Sequence, residues 1–338
     1  MFMAQEKSDN RFIRQFPELM RDKTIVYVHG FGSSAQTGTV ARLRQVLPSA
    51  RVVAEDIPLH PEEGLKMLRA LVEREQPQLI LGTSMGGMYA EMLYGFDRIL
   101  VNPAFRMADT MREHGLTGAQ RFQQPRRDGV QDFIVTKALV KEYQTMTERC
   151  FSGVTEEEKN RVFGLFGDAD DLVDTYDLFL SHYPQAIRFH GGHRLEDQSF
   201  MHAVVPVIRW IDDRQEQRGR KVIHLGLETL RDAMGQPRSS AQKVFRHLLE
   251  KYELYIVTDA PSCAPNGLAE VLSWAQRVFD APAWNHVIFC NQRQLLVGDY
   301  LVAQEDVGDF MGGVIRFGDG PFKSWEDIGV FFDRLGDA

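Results

Sequence analysis

The pentapeptide Gly82-Thr83-Ser84-Met85-Gly86 has the pattern G-x-S-x-G. An apolar run at residues 78–82 leads into it, and a segment with helical spacing follows from Met85. In this setting the serine occupies a sharp turn from strand to helix, and its hydroxyl stands exposed at the carboxyl edge of a sheet. The helix N-terminus adds partial positive charge that favours a developing oxyanion. Ser84 is therefore the candidate nucleophile of an acyl-transfer reaction.

A serine nucleophile needs a general base. After G-x-S-x-G, the expected chain order is nucleophile, acid and then histidine. Gly191-Gly192-His193 follows an apolar segment at 186–190, and the two glycines let the loop bend sharply. His193 is therefore the candidate that deprotonates Ser84 and later protonates the leaving group.

The histidine needs a carboxylate partner that sets its tautomer and stabilises the imidazolium. Several aspartates follow the apolar run at 161–167, between the nucleophile and the histidine. We assign the acid to Asp170, whose G-x-x-D-x-x-V spacing places it on the loop after the strand. Asp168 is the second choice and Asp174 the third, so the sequence leaves the acid open between Asp170 and Asp168.

An oxyanion hole requires two backbone donors. The amide of Met85, directly after the nucleophile, is one candidate, and the amide of Phe31 in the loop after the first strand is the other. His29 precedes the serine, so we assign it a structural role in holding that loop. Gly30 and Phe105 are predicted to contact the substrate, although packing is the commoner role for a phenylalanine such as Phe105. No metal and no cofactor are required by this chemistry.

Short apolar runs alternate with segments of helical periodicity along the chain, which is typical of βαβ units around a parallel sheet. This alternation is interrupted at about residues 106–160, which we interpret as a small helical cap above the sheet. The fold class is therefore predicted to be α/β, an α/β-hydrolase with a cap followed by a second α/β domain. The predicted organisation is an N-terminal extension 1–23, a hydrolase domain 24–213, a linker 214–220 and a second domain 221–338.

Composition narrows the class of protein. The chain has 338 residues, 43% hydrophobic and 25% charged, with a formal net charge of −8. An acidic chain without a long basic run argues against nucleic-acid binding. The N-terminus has no signal-peptide core, and no apolar stretch approaches the length of a membrane span. Three widely separated cysteines have neither metal-ligand spacing nor an even count, so we expect a cytoplasmic protein without membrane partners.

Residues of about 24–213 resemble the YqiA-type small bacterial esterases. The resemblance rests on Val28-His29-Gly30-Phe31-Gly32-Ser33-Ser34, Gly82-Thr83-Ser84-Met85-Gly86-Gly87, Val101-Asn102-Pro103-Ala104, Asp170-Asp171-Leu172-Val173-Asp174 and Gly191-Gly192-His193. It implies esterase activity on short acyl esters without a cofactor, and a triad of Ser84, Asp170 and His193. It names no natural substrate.

Residues of about 221–335 resemble the HAD superfamily, most closely its 5′(3′)-deoxyribonucleotidase-like branch. The segments that carry the resemblance are Tyr255-Ile256-Val257-Thr258-Asp259-Ala260-Pro261, Leu295-Leu296-Val297-Gly298-Asp299-Tyr300-Leu301-Val302 and Gly313-Val314-Ile315-Arg316-Phe317-Gly318 with Trp325. The catalytic D-x-D of that superfamily is replaced by His224-Leu225-Gly226, its lysine by Arg293, and its metal-holding acidic pair by Ala303-Gln304. We therefore expect a catalytically inactive domain, because phosphoryl transfer depends on positioned charge.

The sequence thus predicts a serine esterase that cleaves an ester or thioester of a small acyl substrate. One alternative is a Mg²⁺-dependent nucleotidase or phosphatase acting through the HAD-like half. Another is a ligand-binding or regulatory protein that does not turn over. A phosphate or nucleotide ligand on residues 221–338 and a homo-oligomer are both compatible with the sequence.

Overall fold

The computed structural model describes residues 19–217, 219, 221–260, 266–284, 286–307 and 310–335. Most of the predicted N-terminal extension, parts of the predicted linker and second domain, and Cys263 lie outside these residues. The chain divides into two compact units, Met1–Ile187 with Gly191–Leu195, and Arg188–His190 with Glu196–Ala338. The helix at Val205–Gln215, which we expected within the first domain, therefore groups with the second unit.

The first sheet has six strands in the order β2-β1-β3-β4-β7-β8. The strands of this part of the chain are β1 (Thr24–Val28), β2 (Arg51–Val53), β3 (Leu79–Thr83), β4 (Arg98–Val101), β5 (Gly118–Arg121), β6 (Asp132–Val135), β7 (Val162–Gly167) and β8 (Ala186–Phe189). The pairs β1–β2, β1–β3, β3–β4 and β4–β7 are all parallel. The central strands are apolar runs, because such a sheet is covered by helices on both faces.

Helices follow the strands as the periodicity predicts. They are α1 (Gly38–Val46), α2 (Pro61–Glu75), α3 (Met85–Glu91), α4 (Met107–Glu113), α5 (Lys137–Thr147), α6 (Glu156–Lys159) and α7 (Tyr176–Leu180). In α2, proline occupies the first position and Glu62 and Glu63 the first turn, where acidic side chains stabilise a helix. Its Leu65, Leu68 and Leu71 are buried, which is the amphipathic face that their spacing predicts.

The insertion between β4 and β7 contains an antiparallel pair, β5–β6, in addition to the helices α4, α5 and α6. We predicted a helical cap at 106–160 and missed this hairpin. Phe133 and Val135 of β6 are buried while Asp132 and Ile134 are exposed, which is the alternation of a half-buried strand. Four residues are too few for this alternation to be recognised without the neighbouring strand.

The second unit has a five-stranded sheet in the order β11-β10-β9-β12-β13, and all of its neighbouring pairs are parallel. Its strands are β9 (Val222–Gly226), β10 (Glu253–Thr258), β11 (Val287–Phe289), β12 (Tyr300–Ala303) and β13 (Gly313–Arg316). Its helical elements are α8 (Asp197–Ser199), a π-helical segment (Phe200–Val204), α9 (Val205–Gln215), α10 (Leu227–Leu230), α11 (Ala241–Lys251), α12 (Gly267–Trp284), α13 (Trp325–Arg334) and a 3-10 turn (Arg293–Leu295). Parallel sheets with helices in both units confirm the predicted α/β class.

Two further findings concern the described residues only. None of their helices is both long enough and apolar enough to cross a membrane. Cys150 is a buried free thiol and Cys290 a partly buried one.

Candidate active site

Ser84 lies between β3 and α3 with φ of 55° and ψ of −120°. A positive φ is strained for a serine, and such strain is typical of functional turns. Two glycines make the turn sterically feasible. A Cβ on Gly86 would overlap the carbonyl oxygen of Val28, and a Cβ on Gly82 would overlap the carbonyl oxygen of Gly86. Only glycine fits at either position, which explains the residue types of the G-x-S-x-G pattern in this chain.

The structure brings Ser84, His193 and Asp170 together. The Oγ of Ser84 lies 3.1 Å from Nε2 of His193, and Nδ1 of the same ring lies 2.8 Å from Oδ2 of Asp170. An ionised carboxylate can only accept, so Nδ1 carries the proton and Nε2 is left to accept from the serine hydroxyl. The ring is thus held in the tautomer that can take a proton from Ser84.

Asp170 and Asp168, the two leading choices for the acid, make different contacts. The Asp170 side chain is only 2% exposed, and its Oδ1 accepts hydrogen bonds from the amides of Leu172 and Val173, each at 2.9 Å. Its other oxygen is therefore directed at His193. Asp168 instead accepts the amide of Gly191 at 3.0 Å, within the loop that carries the histidine. In this geometry the hydrogen-bonded partner of His193 is Asp170.

Asn102 is a site residue whose role our sequence analysis did not identify. Its Oδ1 accepts the Gly167 amide at 2.8 Å, and its Nδ2 donates to the carbonyl oxygens of Gly192 and His193 at 3.0 and 3.2 Å. One side chain therefore ties the end of β7 to the histidine loop. The available signal was an amide side chain directly after β4, at the sheet edge where β3 and β7 also end.

His29 is buried in the loop after β1. Its Nδ1 donates to the carbonyl oxygen of Gly30 at 2.9 Å, and its Nε2 accepts the amide of Ile57 at 3.0 Å. Both ring nitrogens are thus used by backbone groups in the neutral form. Burial lowers the pKa of His29 to about 4 because the charged form would lose its hydration. These contacts are those of a residue that holds the loop, and not of a proton shuttle.

This pKa predicts a specific dependence of stability on pH. The unfolded chain binds a proton on His29 near pH 6.5, whereas the folded chain does so only near pH 4. Folding stability is therefore fully present above pH 6.5 and falls as the pH drops toward 4. Between pH 7 and pH 4.5, the loss from this residue should be about 2 kcal/mol.

Urea unfolding followed by circular dichroism at the two pH values would measure this loss. His29→Gln should show a pH dependence smaller by about that amount. Replacing the exposed His114 by glutamine is the matched control and should leave the pH dependence as in the wild type. Equal pH dependences for wild type and His29→Gln would contradict the assignment.

Gly30, Phe31 and Met85 surround the serine. A Cβ added to Gly30 would lie 3.4 Å from the Ser84 Cβ, so the loop after β1 runs directly beside the nucleophile. The Phe31 ring makes an edge contact with the Phe133 ring, with centroids 5.5 Å apart. Met85 begins α3, directly after Ser84. The amides of Phe31 and Met85 therefore belong to segments that adjoin Ser84.

A cavity of about 510 Å³ opens beside Ser84 and His193. Its described lining comes from the loop after β1, from α1, from the cap and from the histidine loop. The lining residues are Tyr27, Gly30, Phe31, Gly32, Ser33, Thr37, Gly38, Thr39, Arg42, Thr83, Ser84, Val101, Met107, Thr110, Leu116, Gln120, Arg121, Gln123, Gln124, Phe133, Leu172, His193, Arg194 and Leu195. The cavity is large enough for a small ester.

Phe105 is not among the described residues that line this cavity. It is 3% exposed, and its ring packs against the rings of Phe151 and Phe179, with centroid distances of 4.6 and 6.3 Å. Phe105 thus has a packing role, which is the commoner one for such a phenylalanine, and its contact with the substrate stays a prediction. Met107 and Phe133, both from the region predicted as the cap, line the cavity.

In the second unit, three residues from the segments compared with the HAD superfamily make hydrogen bonds within the fold. Nε2 of His224 pairs with the Val297 carbonyl at 3.0 Å, and burial lowers the pKa of this ring. Arg293 donates to both carboxylate oxygens of Glu228, at 3.0 and 3.3 Å. Asp299 accepts the Val222 amide at 2.8 Å, and burial raises its pKa. These polar groups already have partners within the fold.

A second cavity, of about 760 Å³, lies in the second unit at the ends of β9, β10 and β12. Thr258 and Arg293 both line it. Among the described residues, no cluster of three or more histidine, cysteine, aspartate or glutamate side chains could hold a metal ion.

Comparison with protein families and curated proteins gives two results. The model of an uncharacterised protein family, UPF0227, matches residues 24–210. A putative 5′(3′)-deoxyribonucleotidase of Vibrio phage KVP40 is 29% identical over 96 residues, which is 28% of this chain and 56% of that protein. The chain thus matches little more than half the length of this curated relative.

Comparison with solved structures gives distant likenesses. Est1E from Butyrivibrio proteoclasticus, solved with ferulic acid, is 14% identical with a TM-score of 0.41, covering 60% of this chain and 92% of its own. A soluble variant of monoglyceride lipase from Saccharomyces cerevisiae is 13% identical with a TM-score of 0.40, covering 57% and 87%. Likenesses of this size carry no argument about activity.

Proposed function

This chain belongs to the uncharacterised protein family UPF0227, and we propose, from the geometry at Ser84, that it is a serine hydrolase. The proposed reaction is the cleavage of a carboxylic ester or thioester through an acyl-enzyme on Ser84. In this proposal His193 is the general base and acid, and Asp170 orients it.

The observation that carries the proposal is the unbroken line of hydrogen bonds from Ser84 through His193 to Asp170. Any one of these residue types is common near a surface. A strained serine, a histidine in the required tautomer and a buried carboxylate, all at one mouth of a cavity, are together typical of a nucleophilic hydrolase. The cavity supplies the space in which an acyl group can lie.

Acylation follows from this arrangement. The Oγ of Ser84 attacks the carbonyl carbon while its proton moves to Nε2 of His193. The carboxylate of Asp170 stabilises the imidazolium that forms. As the tetrahedral intermediate collapses, Nε2 returns the proton to the departing alcohol or thiol, and the acyl group remains on Ser84. A water then repeats the sequence, with His193 as its base, and releases the acid.

The negative charge of the intermediate falls on the former carbonyl oxygen. We propose that the amides of Phe31 and Met85 donate to this oxygen, one from the loop after β1 and the other from the first turn of α3. Gly30 supports the role because a residue without a side chain lets the loop approach Ser84 closely. Donors fixed in the backbone need no reorganisation during the reaction.

A fluorophosphonate probe tests this proposal directly, because it reacts only with an activated serine. We expect stoichiometric labelling of the wild type, no labelling of Ser84→Ala and strongly slowed labelling of His193→Ala. Peptide mapping should place the adduct on Ser84. If the wild-type protein is folded, as judged by its circular dichroism, and still does not react with the probe, the proposal is refuted.

For the second unit we propose a HAD-like domain without phosphatase activity. The engagement of His224, Arg293 and Asp299 in internal hydrogen bonds supports this, because phosphoryl transfer needs such groups free for phosphate and metal.

A further inference from the structure

The loop after β1, residues 29–36, makes a tight turn beside the nucleophile. The Ser33 amide donates to the carbonyl oxygen of Gly30 at 3.3 Å, and Gly32 has a φ of 67°. A positive φ at the third residue of such a turn favours glycine. Phe31, whose amide is the proposed oxyanion donor, is the second residue of the turn. The turn sets the local shape of the loop, so the place of this amide relative to the nucleophile depends on what holds the loop as a whole.

A part of the cap, residues 122–128, lies against this loop, and we call it the cap segment. The Gln123 amide donates to the carbonyl oxygen of Gly32 at 2.8 Å. The Ser34 hydroxyl donates to the carbonyl oxygen of Pro125 at 2.8 Å, and Ser34 is fully buried. A hydrogen bond shielded from water is costly to leave unmade. The loop after β1 is therefore joined to the cap segment by its backbone and by a buried side chain.

Asp56, which follows β2, joins the same two segments through one carboxylate. Its Oδ1 accepts the Ala35 amide at 2.7 Å, from the loop after β1. Its Oδ2 accepts the Arg127 amide at 2.7 Å, from the cap segment. Both distances are at the short end of the range for N–H···O hydrogen bonds, as expected for a carboxylate acceptor. Each oxygen is used by a different segment, so this side chain fixes one backbone relative to the other.

The neighbouring residue, Ile57, repeats the arrangement through its backbone. Its amide donates to Nε2 of His29 at 3.0 Å, in the loop after β1. Its carbonyl oxygen accepts Nη1 of Arg126 at 3.1 Å, from the cap segment. The Arg126 side chain is only 7% exposed, so this contact is shielded from water. Residues 56–57 are therefore bonded to the loop after β1 on one side and to the cap segment on the other.

The ring of Phe31 also packs against the cap. It makes edge contacts with the rings of Phe133 and Tyr143, at centroid distances of 5.5 and 6.0 Å, and both of these neighbours are buried. Apolar packing is not directional, so it holds the side chain without setting the direction of the backbone amide. The directional contacts of the loop are the hydrogen bonds to the cap segment and to residues 56–57.

We propose that Asp56, assisted by Ser34, is a positioning residue of the oxyanion hole: it fastens the loop after β1 to the cap segment and thereby places the Phe31 amide beside Ser84. Asp56 is not among the described residues that line the cavity, so it acts through the loop and not by contact with the substrate. The inference rests on the proposed hydrolase function and adds to it a residue on which the transition state depends.

The test uses Asp56→Asn, which keeps the size of the side chain. Asparagine offers one acceptor oxygen and an NH₂ group that only donates, so it can serve one of the two amides and sets a donor against the other. Ser34→Ala is the second variant and leaves Asp56 in place. Glu55→Gln is the matched control, because it removes a charge one residue away, where the carboxylate pairs with Arg74.

The measured quantities are kcat and KM for 4-nitrophenyl butanoate, expressed per site that reacts with the fluorophosphonate, and the inhibition constant of an alkyl trifluoromethyl ketone. Addition of Ser84 to this ketone forms a bond between Oγ and the carbonyl carbon and moves the hydroxyl proton to His193. An oxyanion is left on the former carbonyl oxygen. The inhibition constant therefore reports on the oxyanion hole, whereas titration of active sites removes the effect of unfolded protein.

We expect Asp56→Asn to lower kcat by about ten- to a hundredfold, because a donor displaced by about 1 Å costs a loss of that order. KM should stay close to that of the wild type, since the donor is needed by the transition state more than by the bound ester. The inhibition constant should rise by the same factor as kcat/KM falls. Ser34→Ala should change the same quantities by a smaller factor, and Glu55→Gln should leave them unchanged.

The results that would overturn the inference can be distinguished from a failure of the proposed function. If Asp56→Asn loses stability alone, and each titrated site keeps the wild-type kcat and inhibition constant, the residue is merely structural. A fall in kcat without the matching rise in the inhibition constant would also be against it. If Asp56→Asn does not fold, wild-type values for Ser34→Ala decide against the inference. If the folded wild type neither cleaves the ester nor reacts with the fluorophosphonate, the hydrolase function itself is wrong.

Discussion

Replacing Ser84 by alanine should lower kcat for ester hydrolysis by about 10⁶-fold. The remaining activity would come from substrate binding and oxyanion stabilisation alone. The loss follows because Oγ is the only atom in the proposed mechanism that forms a bond to the substrate. Steady-state hydrolysis of a 4-nitrophenyl ester of a short acid, with active-site titration of the wild type, would measure it.

Measuring the stability of the Ser84 variants shows whether the loss of activity comes from the missing hydroxyl or from a damaged fold. Ser84 has a φ of 55°, so alanine keeps the backbone strain and should unfold at the same urea concentration as the wild type. Ser84→Gly should be more stable by about 1 kcal/mol, because glycine adopts a positive φ without strain, and it should be equally inactive. Hydrolysis by Ser84→Ala above about a hundredth of the wild-type rate would be incompatible with Ser84 as the nucleophile.

Asp170→Asn should lower kcat by about 10⁴-fold. An amide in place of the carboxylate can donate to Nδ1 of His193, which moves the ring proton to Nε2 and removes the acceptor that Ser84 needs. The imidazolium formed during acylation also loses its counter-charge. The pH profile of kcat/KM distinguishes this effect on the tautomer from a general loss of activity. Hydroxide can act as the base at high pH, so the activity of Asp170→Asn should rise with pH.

Asp168→Asn is the matched control, two residues away on the same loop. Asp168 accepts the Gly191 amide, and an asparagine oxygen can still accept that hydrogen bond. We expect a loss of less than about tenfold, because only the position of the histidine loop is affected. If Asp168→Asn were as damaging as Asp170→Asn, the acid would have to be reassigned or shared between the two carboxylates.

The nucleophile turn could be predicted because its constraints are local. A strand, two glycines around a serine and a helix lie within a few residues of one another, and each residue type has a steric reason. The same holds for strands of the first sheet, because the apolar runs at 78–82 and 161–167 agree with β3 and β7 to within one residue. The positions of His193 and Asp170 depended instead on chain order, so the competing Asp168 stayed open until their contacts were known.

The features that were missed involve residues distant in sequence. Asn102 is joined to Gly167 and to the carbonyl of His193 across separations of 65 and 91 residues. Phe105 was given a possible substrate contact, and its ring packs in the core beside Phe151. The hydrophobic periodicity of a sequence does not indicate the direction in which a side chain in a loop points.

The sequence by itself determined the α/β class and the serine on its strained turn. These properties follow from local sterics, from hydrophobic period and from which side chains are present. Only the tertiary structure decided which aspartate meets His193, that Asn102 holds the histidine loop, and that Asp56 joins the loop after β1 to the cap. Those contacts arise where the carboxyl ends of parallel strands meet at a common sheet edge, so they depend on the packing of segments that are not neighbours in sequence.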